Sequence, residues 1–122
     1  MKFYYNGKKV RESKTHEYKY AVIATNRNDK VLSCSATMNG AQAFINRYIA
    51  ENNDGIKTSE NIIKALETGA KGFYAVRGRK TDYIKIREDH SIEYSRKRIE
   101  ECKRAIEFYL SNWKIVELEA KA

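Results

Sequence analysis

Apolar and polar residues alternate in three short stretches of the chain, which are residues 3–10, 18–36 and 73–87. Such alternation predicts half-buried strands, and each stretch carries turn-forming residues in its middle. The Asn6-Gly7 pair favours the positive φ angles of a type I′ turn, and polar residues 26–29 and 78–82 predict the other two turns. Residues 114–119 form one more strand pattern. We therefore expect an antiparallel β-sheet made of hairpins.

Apolar residues spaced every three or four positions predict helices in three further places, which are residues 39–49, 59–69 and 91–111. Asn39 can cap the first helix, and Gln42 would complete a capping box. Ser59 can cap the second helix, which we expect to end at Gly69 in a left-handed conformation. The predicted fold class is α+β, with an antiparallel sheet of hairpins covered by about three helices.

The last predicted helix carries an almost heptad-spaced stripe, made of Ile92, Ser95, Ile99, Cys102, Ile106, Tyr109 and Trp113. Such a stripe can pack against the sheet, or it can associate with the same helix of a second chain. The two roles are compatible, because a helix of about 20 residues is about 30 Å long and can project beyond a sheet. We expect a homodimer or larger homo-oligomer, with this helix at its seam.

Length and composition limit the class of protein. The chain has 122 residues, which predicts a single domain covering 1–122. No stretch approaches the roughly 20 apolar residues of a transmembrane helix, and the first residues lack the apolar run of a secretory signal. Cys34 and Cys102 are too few for a disulfide framework. These features predict a protein of a reducing cytoplasm that has no membrane partner.

The net charge of +8 is concentrated in two segments. Residues 1–37 and 70–87 each carry +5, whereas residues 38–69 and 88–122 each carry −1. Both positive segments are predicted hairpins, and they contain eight of the fourteen aromatic residues. Basic residues interleaved with aromatics suit a ligand that has both phosphates and planar rings. The same composition is also typical of strands whose aromatics pack and whose lysines protect the sheet edges.

No motif in the chain predicts an enzyme. Neither a glycine-rich phosphate loop nor a dinucleotide-binding fingerprint is present, and Gly78 is an isolated turn glycine. The two histidines and two cysteines stand at positions 16, 34, 90 and 102, without the paired spacing of a zinc site. We expect a protein that has no catalytic residues, no metal and no cofactor.

The candidate ligand-binding residues are five arginines and one aromatic, namely Arg27, Phe73, Arg77, Arg79, Arg96 and Arg98. Arginine holds phosphate with two donors at once, and an aromatic ring can stack on a base. Two of these arginines flank the turn glycine Gly78, which lets a ligand approach the backbone. A compact site of this kind favours a small nucleotide over long nucleic acid, because the longest helix is nearly neutral and no groove-reading motif is present.

Four stretches of the chain carry a resemblance to a known family: residues 2–11 (KFYYNGKKVR), 13–18 (SKTHEY), 33–37 (SCSAT) and 112–118 (NWKIVEL). In overall pattern the chain resembles the phage anti-Thoeris sponges. The resemblance implies a non-enzymatic phage or prophage protein in the bacterial host cytoplasm. It also implies a β-sheet core with helices, oligomerisation, and recessed sites between protomers for glycocyclic ADP-ribose, the signal of a TIR-domain defence enzyme.

The leading hypothesis is thus a sponge that sequesters a cyclic ADP-ribose-type nucleotide and blocks TIR-dependent (Thoeris) defence without cleaving the ligand. A pyrophosphate and an adenine require arginine and an aromatic, which agrees with the composition of the charged hairpins. The alternative is a phage inhibitor of another host defence complex, of the anti-CRISPR type, acting through protein or nucleic-acid binding. A general RNA-binding module is a third interpretation.

Overall fold

A computed structural model describes all residues, 1–122. It contains eight strands: β1 (Lys2–Tyr5), β2 (Lys8–Glu12), β3 (Tyr20–Ala24), β4 (Lys30–Ser35), β5 (Gly72–Arg77), β6 (Lys80–Lys85), β7 (Trp113–Glu117) and β8 (Glu119–Lys121). The two helices are α1 (Met38–Thr68) and α2 (Ile92–Asn112). Every strand pair is antiparallel. The predicted α+β class is confirmed.

The strands form three small sheets, so the prediction of a single sheet is wrong. The strand orders are β2-β1-β8, β4-β3-β7 and the isolated pair β5-β6. The strand predicted at residues 114–119 does join a sheet, because β7 pairs with β3. The pair β5-β6 stays apart because side chains of α1, rather than another strand, occupy the outer edge of β5.

All three predicted hairpins are present. Asn6 and Gly7 both have positive φ, as a type I′ turn requires, and connect β1 to β2. A single 3-10 turn, Thr25–Arg27, followed by two left-handed residues connects β3 to β4. Gly78 and Arg79 connect β5 to β6 in a two-residue turn, with the positive φ at Gly78.

The structure has two helices where the sequence predicts about three, because the first two predicted helices are one continuous helix, α1. The polar residues between them do not break the helix, since two of them bond to the hairpin β5-β6. Asp54 accepts a hydrogen bond from the Gly78 amide, and Thr58 accepts one from Val76. Ser59, predicted as a cap, is buried in the middle of α1. The predicted end at Gly69 is confirmed by its φ of 72°.

The first cap of α1 differs from the prediction. Thr37, not Asn39, caps the helix, since its Oγ1 accepts the Gly40 amide at 3.0 Å. Gln42 does not complete a capping box but donates to Asn46 one turn further on. Thr37 stands immediately before Met38, the first residue of α1, so it is the residue in position to reach the third helical amide.

The chain divides into two compact units, each with its own buried residues. Residues 1–47 and 108–122 form the first unit, whose core contains Ala21, Ile23 and Val116. Residues 48–107 form the second, which contains the paired strands β5-β6 and the facing parts of both helices. There the helices approach closely, because a Cβ on Gly55 would lie 3.0 Å from the Cys102 sulfur. Cys102 and Ser95 of the predicted stripe are buried.

Candidate functional site

The outer edge of β5 is held by three side chains of α1. Asp54 Oδ2 accepts the amide of Gly78 at 2.8 Å, and Thr58 Oγ1 accepts the amide of Val76 at 2.9 Å. One turn on, Asn61 Nδ2 donates to the Tyr74 carbonyl at 2.8 Å. We call these three contacts the side-chain ladder. They satisfy backbone groups that β6 cannot reach, so the hairpin has a fixed position on the helix.

Two exposed tyrosines form the most accessible aromatic surface of the hairpin. Tyr74 and Tyr83 are register partners on β5 and β6, and their ring centroids are 5.4 Å apart in an edge-to-face arrangement. They are 56% and 57% exposed. Gly72 makes room for this tyrosine pair, because a Cβ there would overlap the Tyr83 ring and lie 2.6 Å from the Ile84 carbonyl oxygen.

A groove of about 290 Å³ lies beside the tyrosine pair. We call it the hairpin groove, and it is lined by Asn61, Lys64, Ala65, Thr68, Ala70, Gly72, Phe73 and Tyr74. Its small residues leave space, while Lys64 supplies a cation and Tyr74 an aromatic ring. The Thr68 hydroxyl donates to the Lys64 carbonyl at 2.9 Å, so its oxygen lone pairs stay available to a ligand donor. The volume matches a nucleobase or a sugar better than a whole dinucleotide.

Three of the six predicted site residues lie on this hairpin. Phe73 lines the hairpin groove but is only 5% exposed, and its ring packs edge-to-face on His90 at 5.1 Å. Arg77 and Arg79 are exposed on either side of Gly78. The Asp54 contact to the Gly78 amide fixes the turn that carries both arginines.

The other three predicted residues lie elsewhere. Arg96 and Arg98 are exposed on α2 in the same unit, and Arg98 is 3.8 Å from the carboxylate of Glu101. Arg27 belongs to the first unit, where it ends the 3-10 turn and is exposed. The structure thus groups Phe73, Arg77 and Arg79 on one hairpin and leaves the remaining arginines outside that group.

Sequence reasoning missed Tyr74, Tyr83 and Lys64 as site residues. The two tyrosines have a readable signal, since strand alternation places Tyr74 on the face opposite to the buried Phe73. Lys64 had no such signal, because its place in the groove depends on how α1 lies beside β5, a contact between distant parts of the chain.

The first unit has a smaller aromatic cluster. The Arg11 guanidinium lies over the Tyr18 ring at 5.1 Å from its centroid, and His16 stacks on the same ring at 6.0 Å. Phe3, fully buried, meets Tyr18 edge-on. Tyr18 therefore already has partners on several sides, which leaves the tyrosine pair of the hairpin as the more available stacking surface.

Comparison of the chain with protein-family models, with curated proteins and with solved structures found no match. Neither helix is both long and apolar enough to cross a bilayer. No three or more His, Cys, Asp or Glu side chains are grouped closely enough to hold a metal ion. The candidate site therefore rests on its own geometry, which is a groove, an exposed aromatic pair and a cationic turn on one hairpin.

Proposed function

We propose that the protein binds a small phosphorylated nucleotide of the cyclic ADP-ribose type at the hairpin and holds it chemically unchanged. In this role it is a sponge that lowers the free concentration of a TIR-dependent defence signal. The observation that carries the proposal is the exposed tyrosine pair beside the hairpin groove, within a segment that has six basic residues and one acidic residue. The family resemblance supplies the class of signal.

Each part of such a ligand finds a suitable group on the hairpin. A purine ring can stack on Tyr74 or Tyr83, an interaction worth about 1–3 kcal/mol per base. The ammonium of Lys64 can meet a phosphate or a ribose hydroxyl at the groove. Arg77 and Arg79 extend the positive field along the hairpin and favour entry of an anion. Sequestration requires only these binding contacts and no reacting group.

The proposal is tested by identifying what the purified protein retains. The protein is incubated with lysate from cells whose TIR enzyme has been activated, washed on an ultrafilter, denatured, and its released small molecules are analysed by mass spectrometry. We expect an intact cyclic ADP-ribose isomer. Failure to retain any such isomer at micromolar protein would overturn the proposal, and release of a cleaved product would contradict sequestration.

A pair of tyrosine variants assigns the site. Tyr74→Ala removes the exposed ring beside the groove, and we expect it to lower retention at least tenfold. Tyr94→Ala is the matched control, because Tyr94 is 64% exposed on α2 and does not line the groove. If the two variants lose retention equally, the ligand does not bind at the hairpin.

A second candidate function is supported by the charge of the first unit. Residues 1–47 and 108–122 contain eleven Lys or Arg and five Asp or Glu. Such a balance favours binding of a polyanion, as an inhibitor that covers the nucleic acid of a host defence complex would require. Retention of duplex DNA or RNA that falls steeply between about 50 and 200 mM salt would favour this candidate over the sponge.

A further inference from the structure

The two edges of the hairpin β5-β6 differ in how their backbone groups are used. Arg77 pairs with Lys80 across the two-residue turn. From this pair onward, hydrogen-bonded pairs alternate with pairs whose backbone groups point away from the partner strand. This places the amides and carbonyls of Thr81, Tyr83 and Lys85 on the side of β6 that faces away from β5. The side-chain ladder agrees with this alternation. Val76 and Tyr74 are the register partners of Thr81 and Tyr83, and the Val76 amide and the Tyr74 carbonyl point away from β6, towards α1.

Two outward groups of β5, the Val76 amide and the Tyr74 carbonyl, are bonded to side chains of α1, whereas no outward group of β6 has a partner. α1 supplies a side-chain partner for Val76 and for Tyr74. The sheet ends at β6, and no backbone or side-chain hydrogen bond reaches Thr81, Tyr83 or Lys85 from that side. All six residues of β6 are exposed. An unpaired strand of this length is a template for another extended segment.

We propose that the outer edge of β6 is a docking site that adds an extended, acidic peptide segment of a protein partner as a third strand. Backbone hydrogen bonds to Thr81, Tyr83 and Lys85 would provide the attachment, as in other cases of strand addition. The proposal is separate from nucleotide binding, since it uses the backbone edge of β6 rather than the tyrosine rings or the hairpin groove.

Charge selects the kind of segment. Lys80 and Lys85 stand at the two ends of β6, and Arg79 and Arg87 lie just beyond them. Asp82 is the single carboxylate between residues 70 and 87. A strand with Glu or Asp near both ends would meet cations across the ladder, where opposite charges stabilise and like charges destabilise the pair.

A second copy of this chain fits the same edge less well. It would bring another six cations and one carboxylate against the first set. A self-pairing centred on Asp82 would place Asp82 opposite its own copy and Arg79 opposite Lys85. A self-pairing centred on Thr81 would place Lys80 opposite Asp82, but the two segments would still bring a net charge of +5 each to the interface. Charge repulsion therefore favours an acidic segment from another protein.

The test begins with an array of random nine-residue peptides probed with the full-length protein. We expect the bound peptides to carry net negative charge and β-branched or aromatic residues. Each is then remade with alternate backbone amides N-methylated, which removes ladder bonds while keeping the charges. A loss of at least tenfold in affinity supports strand addition, and unchanged affinity overturns it. Binding of neutral or basic peptides as strongly as acidic ones, or of none, also overturns the proposal.

Hydrogen exchange locates the peptide. Binding should slow exchange of the Thr81, Tyr83 and Lys85 amides at least tenfold, while the amides of Asp82 and Ile84, already bonded to β5, change little. Protection of the outward amides in the absence of peptide, rising with protein concentration, would show that a second copy occupies the edge and would overturn the assignment.

A charge-reversal variant tests the selectivity in a protein whose strand pairing is kept. Lys80→Glu with Lys85→Glu should weaken acidic peptides at least tenfold and admit basic ones. The same change at Lys97 and Lys103 of α2 is the control. It alters the net charge by the same amount, at two lysines that belong to α2 and not to β6. If the two variants weaken acidic peptides equally, net charge alone explains the attraction, and a site at β6 is overturned. Nucleotide retention is measured on the same samples, so that a failure of nucleotide binding can be distinguished from a failure of peptide binding.

Discussion

The amide of Gly78 donates a 2.8 Å hydrogen bond to the carboxylate of Asp54, a residue that precedes it by 24 positions. This contact attaches the turn of a basic hairpin to the middle of a helix. It also explains why a polar stretch with a glycine at position 55 remains helical, since the side chains that weaken the helix locally bond elsewhere.

Removing the Asp54 carboxylate should loosen the turn. We expect Asp54→Ala to lower the free energy of unfolding by about 1–3 kcal/mol, because the Gly78 amide loses a charge-assisted bond. Asp54→Asn keeps an acceptor oxygen and should lose less. Urea unfolding of both variants measures the difference. Equal stability of the alanine variant and the native protein would show that solvent replaces the contact without cost.

A methyl group at Gly72 should disturb the tyrosine pair. A Cβ there would overlap the Tyr83 ring and crowd the Ile84 carbonyl oxygen at 2.6 Å, which belongs to the backbone and yields little. We expect Gly72→Ala to destabilise by about 1–3 kcal/mol. Thermal unfolding tests this, and the same change made in a Tyr83→Ala background should cost less. An identical cost in both backgrounds would place the strain on the backbone alone.

The helix cap offers a comparison between the observed and the predicted residue. Thr37→Ala removes the oxygen that accepts the Gly40 amide and should destabilise by about 1 kcal/mol. Asn39→Ala removes the cap predicted from sequence and should change stability by less than about 0.5 kcal/mol. Denaturant titration of the two variants distinguishes them, and the reverse order would assign the cap to Asn39.

The first hairpin contains a carboxylate, Glu12, whose pKa is lowered by a neighbouring lysine. Lys9 lies 3.2 Å from Glu12, and its hydrogen bond and charge lower the pKa of Glu12. A lowered folded-state pKa contributes stability at neutral pH, and this contribution is lost as the pH falls through the folded value. Lys9→Ala should raise the Glu12 pKa towards its ordinary value, whereas Lys8→Ala should change it less. A carboxyl NMR titration measures both, and no change with Lys9→Ala would contradict the assigned cause.

Local sequence signals were sufficient where one or two residues determine the backbone. Asn6-Gly7 and Gly69 take the positive φ angles that their residue types favour. The alternation in residues 73–76 and 83–86 also located the third hairpin, which the structure places at β5 and β6. These features depend on neighbours in the chain, so a single sequence contains the information.

Features that depend on distant contacts were not predictable in this way. The span from Asn52 to Thr58 has low helix propensity, and its bonds to the hairpin and its close approach to α2 explain why α1 continues. The isolation of β5-β6 from the other strands has the same origin. Phe73 and Tyr74 are adjacent aromatics, and the sequence alone favours neither as the residue that stacks on a ligand. The burial of Phe73 in the structure distinguishes them.

The side-chain ladder joins a helix to a strand, and the two elements have different rises per residue. From Asp54 to Asn61 a helix advances about 10 Å, while from Gly78 back to Tyr74 a strand spans about 13 Å. Three side chains can bridge this difference in length. Because the difference increases with every helical turn, a fourth side chain would no longer lie opposite a backbone group of the strand. The hairpin groove opens at that place, beyond Asn61. The cavity thus lies where the ladder ends, at Ala65 and Gly72, two lining residues that have no polar side-chain group for a fourth contact.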